Sequence, residues 1–337
     1  MEGGGVKNVV LKIHGFMSLC MLCLKRPFWV VLLITPVLWQ STNTSAFEDT
    51  KSCEKINCET DFSNLYNLAN TGDKRAQFKV GLAYEKGRGV EKNDVEAAKW
   101  YEKASNQNEL DARHNLALLY EAGAGVRKDF RKAFELEKSA AELGNKYAQN
   151  TLGLYLLNGL GTEENIDEAI KWLTVAANQN LVEASNNLGK IYERGVYVIS
   201  DYEKSLYWYQ KAARLGDAYA QFSVYSFYKK GLGVKRDVNQ AYIWCKKAAL
   251  NGHVEAQVTL GAFAYGYFSE ITPNYKDAIF WWSKAAISGN ADAQYLLGMV
   301  YDSGKYEARN ALKARKWYEL AAKQGQKSAI KRLSTFK

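Results

Sequence analysis

Proline and histidine are nearly missing, with three of each in 337 residues. So few prolines leave long stretches of helix unobstructed. The histidines, His14, His114 and His253, are widely separated, and no His/Cys/Asp/Glu spacing suggests a metal site. No nucleophile, base and orienting group recur at a spacing that would mark a catalytic centre. The Gly-x-Gly sequences fall at helix ends with no strand before them, so they read as interhelical turns and not as phosphate loops. The expectation is a protein that is not an enzyme, with no cofactor and no metal. Long apolar runs are also scarce. The one candidate, Phe28–Trp39, is interrupted by Thr35 and Pro36 and is short against the ~20 residues of a membrane span.

What is present is a period. Gly72, Asn108, Gly144, Asn180, Gly216, Gly252, Gly289 and Gly325 follow one another at 36 or 37 residues, each after an Ala-rich amphipathic stretch. Gly and Asn enter the left-handed conformation most readily, as a helix needs to end in an αL cap. A helix stop at fixed spacing over three quarters of the chain predicts a repeat solenoid. Each unit reads as two helices. The first carries a small residue at Ala76, Ala112, Ala148, Ala184, Ala220, Ala256 and Ala293. A second small position lies five residues on, broken only by Tyr225. It stops at Gly87, Gly123, Gly159, Gly195, Gly231 or Gly304, after which Asn93, Asp129, Asp201 or Asp237 is placed to cap the second helix. The second helix repeats Ala-x-x-Trp-x-x-x-Ala, as in Ala97/Trp100/Ala104 and Ala278/Trp281/Ala285, and its Trp is expected to be the large buried knob.

The string Ala112-x-x-x-Leu116-Ala117-x-x-Tyr120-Glu121-x-Gly123-x-Gly125-Val126-x-Lys128-Asp129 resembles the Sel-one-like repeat, a relative of the tetratricopeptide repeat, and so does Asp201–Ala213. The resemblance covers about residues 63–330. It implies an all-α solenoid of about seven helix-turn-helix units and a non-catalytic scaffold or adaptor for a protein or peptide. Two units depart from the pattern. Repeat four has Tyr197-Val198-Ile199-Ser200 where the second loop Gly would stand, and repeat six replaces the Gly-rich loop with Tyr265–Tyr275. By resemblance, the partner meets a concave wall formed by first helices, at Tyr147, Asn150 and Leu154, then Tyr219, Phe222 and Lys229, then Val258 and Tyr265. In the first repeats the same slots hold Arg75, Phe78, Glu85, Asp111, His114 and Glu121. Tyr267, Phe268 and Tyr275 of the long loop form a second candidate. Each of these rings has the alternative of turning inward to pack between units.

Residues 1–46 follow none of this. Lys25 and Arg26 precede the apolar run, and Thr44-Ser45-Ala46 offers a small-residue cleavage site, so an exported, periplasmic or secreted protein is expected. The alternative is an uncleaved membrane anchor, and the long lead before the run allows a start at Met17 or Met21. Residues 47–62 read as a linker, 63–327 as the solenoid and 328–337 as a C-terminal cap helix. Cys53 and Cys58 are close enough for a small loop disulfide in an oxidising compartment. Cys245, beside Trp244, reads as a small core filler. A cysteine-rich branch of the family, described as penicillin-binding, places a disulfide in every repeat; that ladder is missing here and its activity is not carried over. The net charge of +9 leaves +6 beyond residue 46, which spread over a solenoid gives little reason to expect nucleic acid. Two other roles stay open: an envelope hydrolase or cell-wall-ligand-binding protein, and an exported inhibitor of a membrane sensor.

Overall fold

The computed structural model describes residues 55–266 and 272–336, with side chains from residue 61 onward. The expected signal segment, Cys53, the side chain of Cys58, Tyr267 and Phe268 therefore lie outside the described residues. All the described secondary structure is α-helical, in sixteen helices. After α1 (Lys55–Asn70), the first helices of the seven repeats are α2 (Lys74–Lys86), α4 (Leu110–Ala122), α6 (Lys146–Asn158), α8 (Val182–Arg194), α10 (Ala218–Lys230), α12 (Val254–Tyr265) and α14 (Ala291–Ser303). The second helices are α3 (Asp94–Asn106), α5 (Phe130–Glu142), α7 (Ile166–Asn178), α9 (Tyr202–Arg214), α11 (Val238–Leu250), α13 (Tyr275–Ile287) and α15 (Ala311–Lys323), and α16 (Lys327–Ser334) closes the series. The class is an all-α solenoid. The chain divides between Ser200 and Asp201 into two compact units, and within each unit consecutive helices pack against one another.

All eight periodic Gly and Asn residues have positive φ, including Asn108 at 56° and Asn180 at 60°. Seven of them, from Asn108 onward, end a second helix in the same way. The Asn108 N–H donates to the Ser105 carbonyl and the Glu109 N–H to the Ala104 carbonyl, both at 3.0 Å, which is the Schellman pairing. The second Gly of the interhelical loop has a different task. A Cβ on Gly125 or Gly161 would overlap the backbone at Asp94 or at Phe130, the start of the second helix one repeat earlier. Neighbouring repeats thus touch backbone to backbone at this point. Repeat four, with Tyr197 there, instead sends the ring's hydroxyl to Asn158 Oδ1 at 3.2 Å.

Packing inside each repeat buries the expected Trp at Trp100, Trp208 and Trp281, but it corrects the Trp's role as the main insert. Besides the small residues that flank it, the side chain enclosed in every second helix is the residue after the Trp position: Tyr101, Glu137, Leu173, Tyr209, Cys245, Trp282 and Tyr318 are all essentially inaccessible. Trp172, Trp244 and Trp317 are only half-buried. The socket is the small residue of the partner first helix. Gly81 faces the Tyr101 ring, Gly153 faces Leu173, Gly261 faces Trp282 and Gly298 faces Tyr318, each so closely that an added Cβ would clash. This close contact offsets the roughly 1 kcal/mol that a mid-helix Gly costs against Ala.

Repeats are linked by a buried glutamine next to the small Ala. Gln77, Gln149, Gln221, Gln257 and Gln294 each donate to a carbonyl near the end of the helix before, at 3.0–3.2 Å. Several also accept from the end of the following second helix, as Gln77 does from Gln107 at 2.8 Å. This satisfies carbonyls that every helix C-terminus leaves over. Two boundaries differ from expectation. Helix α1 begins at Lys55, so residues 55–62 of the expected linker are helical, held by Phe62 edge-on to Tyr84 at 5.5 Å and Tyr66 to Trp100 at 5.4 Å. The closing helix α16 ends at Ser334.

Candidate binding surface

Most charged slots of the early first helices are already engaged. Tyr101 donates to Glu85 Oε2 at 2.6 Å, Tyr155 donates to Glu121 Oε2 at 2.7 Å, and Asn145 donates to Asp111 Oδ1 at 2.8 Å. Phe78 packs on the Tyr101 ring at 5.9 Å. His114 Nδ1 lies 2.8 and 3.0 Å from the two oxygens of Glu137, whose carboxylate is fully enclosed. Burial opposes charging of the ring, but the Glu137 carboxylate outweighs it and holds His114 above its ordinary value. Burial likewise raises the Glu137 carboxyl, against the pull of His114. The sequence placed His114 among the wall slots but did not single out Glu137 as its partner. The signal was that His114 and Glu137 fall at the two positions held by Phe78 and Tyr101 one repeat earlier.

The expected wall residues of the first unit form a polar-aromatic strip. The half-buried Tyr147 stacks on His114 at 6.2 Å, Asn150 accepts from Asn187 at 3.0 Å, and Leu154 is half-buried beside the enclosed Tyr155. In the second unit the strip is more open. Tyr219 is 42% exposed and meets Tyr209 edge-on at 6.2 Å. Phe222, one turn further along α10, is sandwiched by His253 at 4.5 Å and Tyr225 at 5.0 Å. His253 is the N-cap of α12, and burial keeps its ring below the ordinary histidine value. Lys229 holds its ammonium 5.5 Å from the Tyr225 ring, and burial, with Lys230 beside it, lowers it to about 8. Removing this amine further from water therefore costs less than for an ordinary lysine.

Val258 does not belong to this strip. It is 5% exposed, packed with Trp282, Leu296 and Leu297, and its carbonyl accepts from Trp282 Nε1 at 3.1 Å. The apolar sequence of α12 is buried over most of its surface, from Leu260 to Ala264 above all, and only the side of Glu255 and Thr259 stays partly open. Tyr265 is half-buried under Trp282, Tyr275 and Tyr306, at 5.3–5.5 Å, and so joins an aromatic cluster. No group of three or more His, Cys, Asp or Glu side chains among the described residues could hold a metal ion. No described helix is long and apolar enough to cross a membrane.

A two-helix repeat closed by αL caps, with a small socket and a large insert, defines a class, and comparison supplies its name. The Sel1 repeat model matches residues 74–109, 110–145, 146–181, 182–217, 218–253, 254–290 and 291–326, so the chain belongs to the Sel1 repeat family. It is similar to a Sel1 repeat protein from Oxalobacter formigenes, 30% identical over 86% of this chain and 83% of that one, with a TM-score of 0.67. It is also similar to a protective antigen of uropathogenic Escherichia coli displaying an SLR fold, 28% identical, TM-score 0.65, over 80% of this chain and 65% of that one. The chain thus spans just under two thirds of the antigen's length. No curated relative matches. Sel1 repeat proteins are generally scaffolds for protein interaction.

Proposed function

We propose that this chain is an exported, non-catalytic scaffold that captures a protein or peptide on its first helices. The observation that carries the reading is the α10 strip, where exposed Tyr219 and stacked Phe222 and His253 lie beside an easily desolvated Lys229. Aromatic anchors that are already packed lose little freedom on binding, which is how a few residues come to dominate an interface. Tyr147, Asn150 and Leu154 serve the first unit in the same way. The test is affinity capture from the native source with wild type and Tyr219→Ala/Phe222→Ala. The double variant is expected to lose bound partners by at least roughly thirtyfold, the scale of an interface hot spot. Equal recovery by the two would remove the assignment. Export rests on Lys25, Arg26, the apolar run and Thr44-Ser45-Ala46. Intact mass of the protein from its source is expected to show Phe47 as the first residue, and retention of residues 1–46 would overturn that part.

A further inference from the structure

The positive charge of this chain is concentrated, not spread. Across α9, α11, α13 and α15, the second helices of the unit that begins at Asp201, there are eleven Lys and Arg residues against three Asp and Glu. The first helices of that unit, α10, α12 and α14, carry two basic and three acidic residues. The corresponding second helices of the other unit, α3, α5 and α7, carry six basic and eight acidic. The first helices of that other unit, α2, α4, α6 and α8, carry eight basic and five acidic, so the largest excess lies on one set of helices in one unit.

Apolar side chains lie exposed on the same helices. The residue before the Trp is Tyr207, Ile243 and Phe280 in three successive repeats, exposed by 57%, 43% and 50%. Seven residues on, two turns along the same side, come Leu250 and Ile287, exposed by 62% and 79%. In the first unit these positions hold Lys99, Glu135 and Lys171, then Asn106, Glu142 and Asn178. On α11 the stripe Ile243/Leu250 is flanked by exposed Lys246 and Lys247, and on α13 Phe280/Ile287 is flanked by exposed Lys284. Lys247 lies over the Trp244 ring at 4.2 Å and Lys284 over Phe280 at 4.9 Å, so their stems run along apolar surface.

We propose that this face docks on an anionic lipid surface. A stripe of aliphatic and aromatic side chains with lysines on its flanks matches a bilayer interface: the stripe enters the headgroup boundary while the ammonium groups reach the phosphates. The aliphatic side chains at 243, 250 and 287 decide against a nucleic acid, on which they would find neither a stacking partner nor a hydrogen bond. Repetition of the register in successive repeats sets the stripes in a row, so that several shallow contacts act together.

The test uses the full chain with vesicles of phosphatidylcholine, with and without phosphatidylglycerol. Binding is read by co-sedimentation and by lysine acetylation located by mass spectrometry, which separates this face from any contribution of residues 1–46. Phosphatidylglycerol vesicles are expected to shield Lys246, Lys247 and Lys284 from acetylation, neutral vesicles to leave them reactive, and added salt to release the protein. Lys246→Glu/Lys247→Glu/Lys284→Glu is expected to weaken association about a hundredfold, from the effect of three charges near an anionic leaflet. Phe280→Ser/Ile287→Ser is expected to weaken it while leaving its salt dependence intact. Should the charge variant fail to fold by circular dichroism, the wild-type acetylation pattern and the second variant still decide. Equal reactivity on both vesicle types, or unchanged association of the variants, would overturn the proposal. So would shielding by duplex DNA and not by lipid, which would assign the face to nucleic acid.

Discussion

Replacing His114 or Glu137 by Ala is expected to lower stability by about 3–5 kcal/mol in either case, because each change leaves the other group enclosed without its partner. A carboxylate with no access to water is costly, and here it sits where every other repeat has Tyr, Leu, Cys or Trp. Its two oxygens are met by one ring nitrogen of His114; Glu121 and Tyr155 also face the carboxylate, and Tyr147, Asp111 and Glu121 face the ring. Removing both partners at once is a different experiment. The first repeat holds Phe78, Gly81 and Tyr101 in the positions of His114, Ala117 and Glu137, with Glu85 taking the tyrosine hydroxyl where Glu121 stands here. Grafting that trio, as His114→Phe/Ala117→Gly/Glu137→Tyr, is expected to give a protein at least about as stable as wild type, in line with other buried ion pairs replaced by packed apolar groups. Urea denaturation of the four proteins measures this. A graft as unstable as the single variants would show that the pair is needed for the fold of its repeat.

The same pair sets a pH dependence. Both groups titrate higher in the folded protein than in the unfolded chain. For His114 the stabilisation is fully present below about pH 6.5, the ordinary histidine value, and is lost as pH rises through the raised folded value. The Glu137 shift works in the same direction, beginning near the ordinary carboxyl range of about 4.3. Wild type is therefore expected to lose stability relative to the graft as pH rises above about 6.5, the ordinary histidine value. A difference that stays flat above that value would contradict it.

The architecture was legible in the sequence because the αL positions admit so few residue types. Gly72 through Gly325 mark every unit, and Asn108 and Asn180 substitute for the reason that Asn tolerates positive φ. The insert into the socket was much harder to see. Trp recurs at one position and draws attention, whereas the next position varies freely among Tyr, Glu, Leu, Cys and Trp. It varies because only the pair has to fit, so the enclosed insert of each repeat is the least repetitive residue. The buried glutamines were missed for a related reason, since Gln77 and Gln149 look like solvent-facing residues until their carbonyl partners on the preceding helix are seen. Of the wall positions that the resemblance implies, Tyr219 is exposed and Phe222 lies stacked between His253 and Tyr225. Val258 is enclosed instead, because the apolar run from Leu260 to Ala264 buries α12 on sides that other first helices leave open.

Repeat five shows most plainly that the pair is the unit of fit. Tyr225 breaks the small position of the first helix, and Cys245 is the smallest of the seven inserts; the two lie in one buried cluster. Volume has been exchanged across the contact: where four other repeats pair Gly with Tyr, Leu or Trp, this one pairs Tyr with Cys. Tyr225→Gly alone is expected to cost about 3–5 kcal/mol, from the cavity left by an enclosed ring, with roughly 1 kcal/mol more for Gly inside a helix. Cys245→Tyr alone is expected to cost about 1–3 kcal/mol or more, since two rings would compete for one space. The double variant restores the arrangement of repeats one and seven and is expected to recover most of both losses, a coupling at the upper end of about 0.5–3 kcal/mol or beyond. Burial also pushes the Cys245 thiol up, although Lys229 draws it down, so in native wild type it should resist a thiol reagent that attacks the thiolate. Losses that merely add in the double variant, measured by chemical denaturation, would mean that socket and insert are chosen independently.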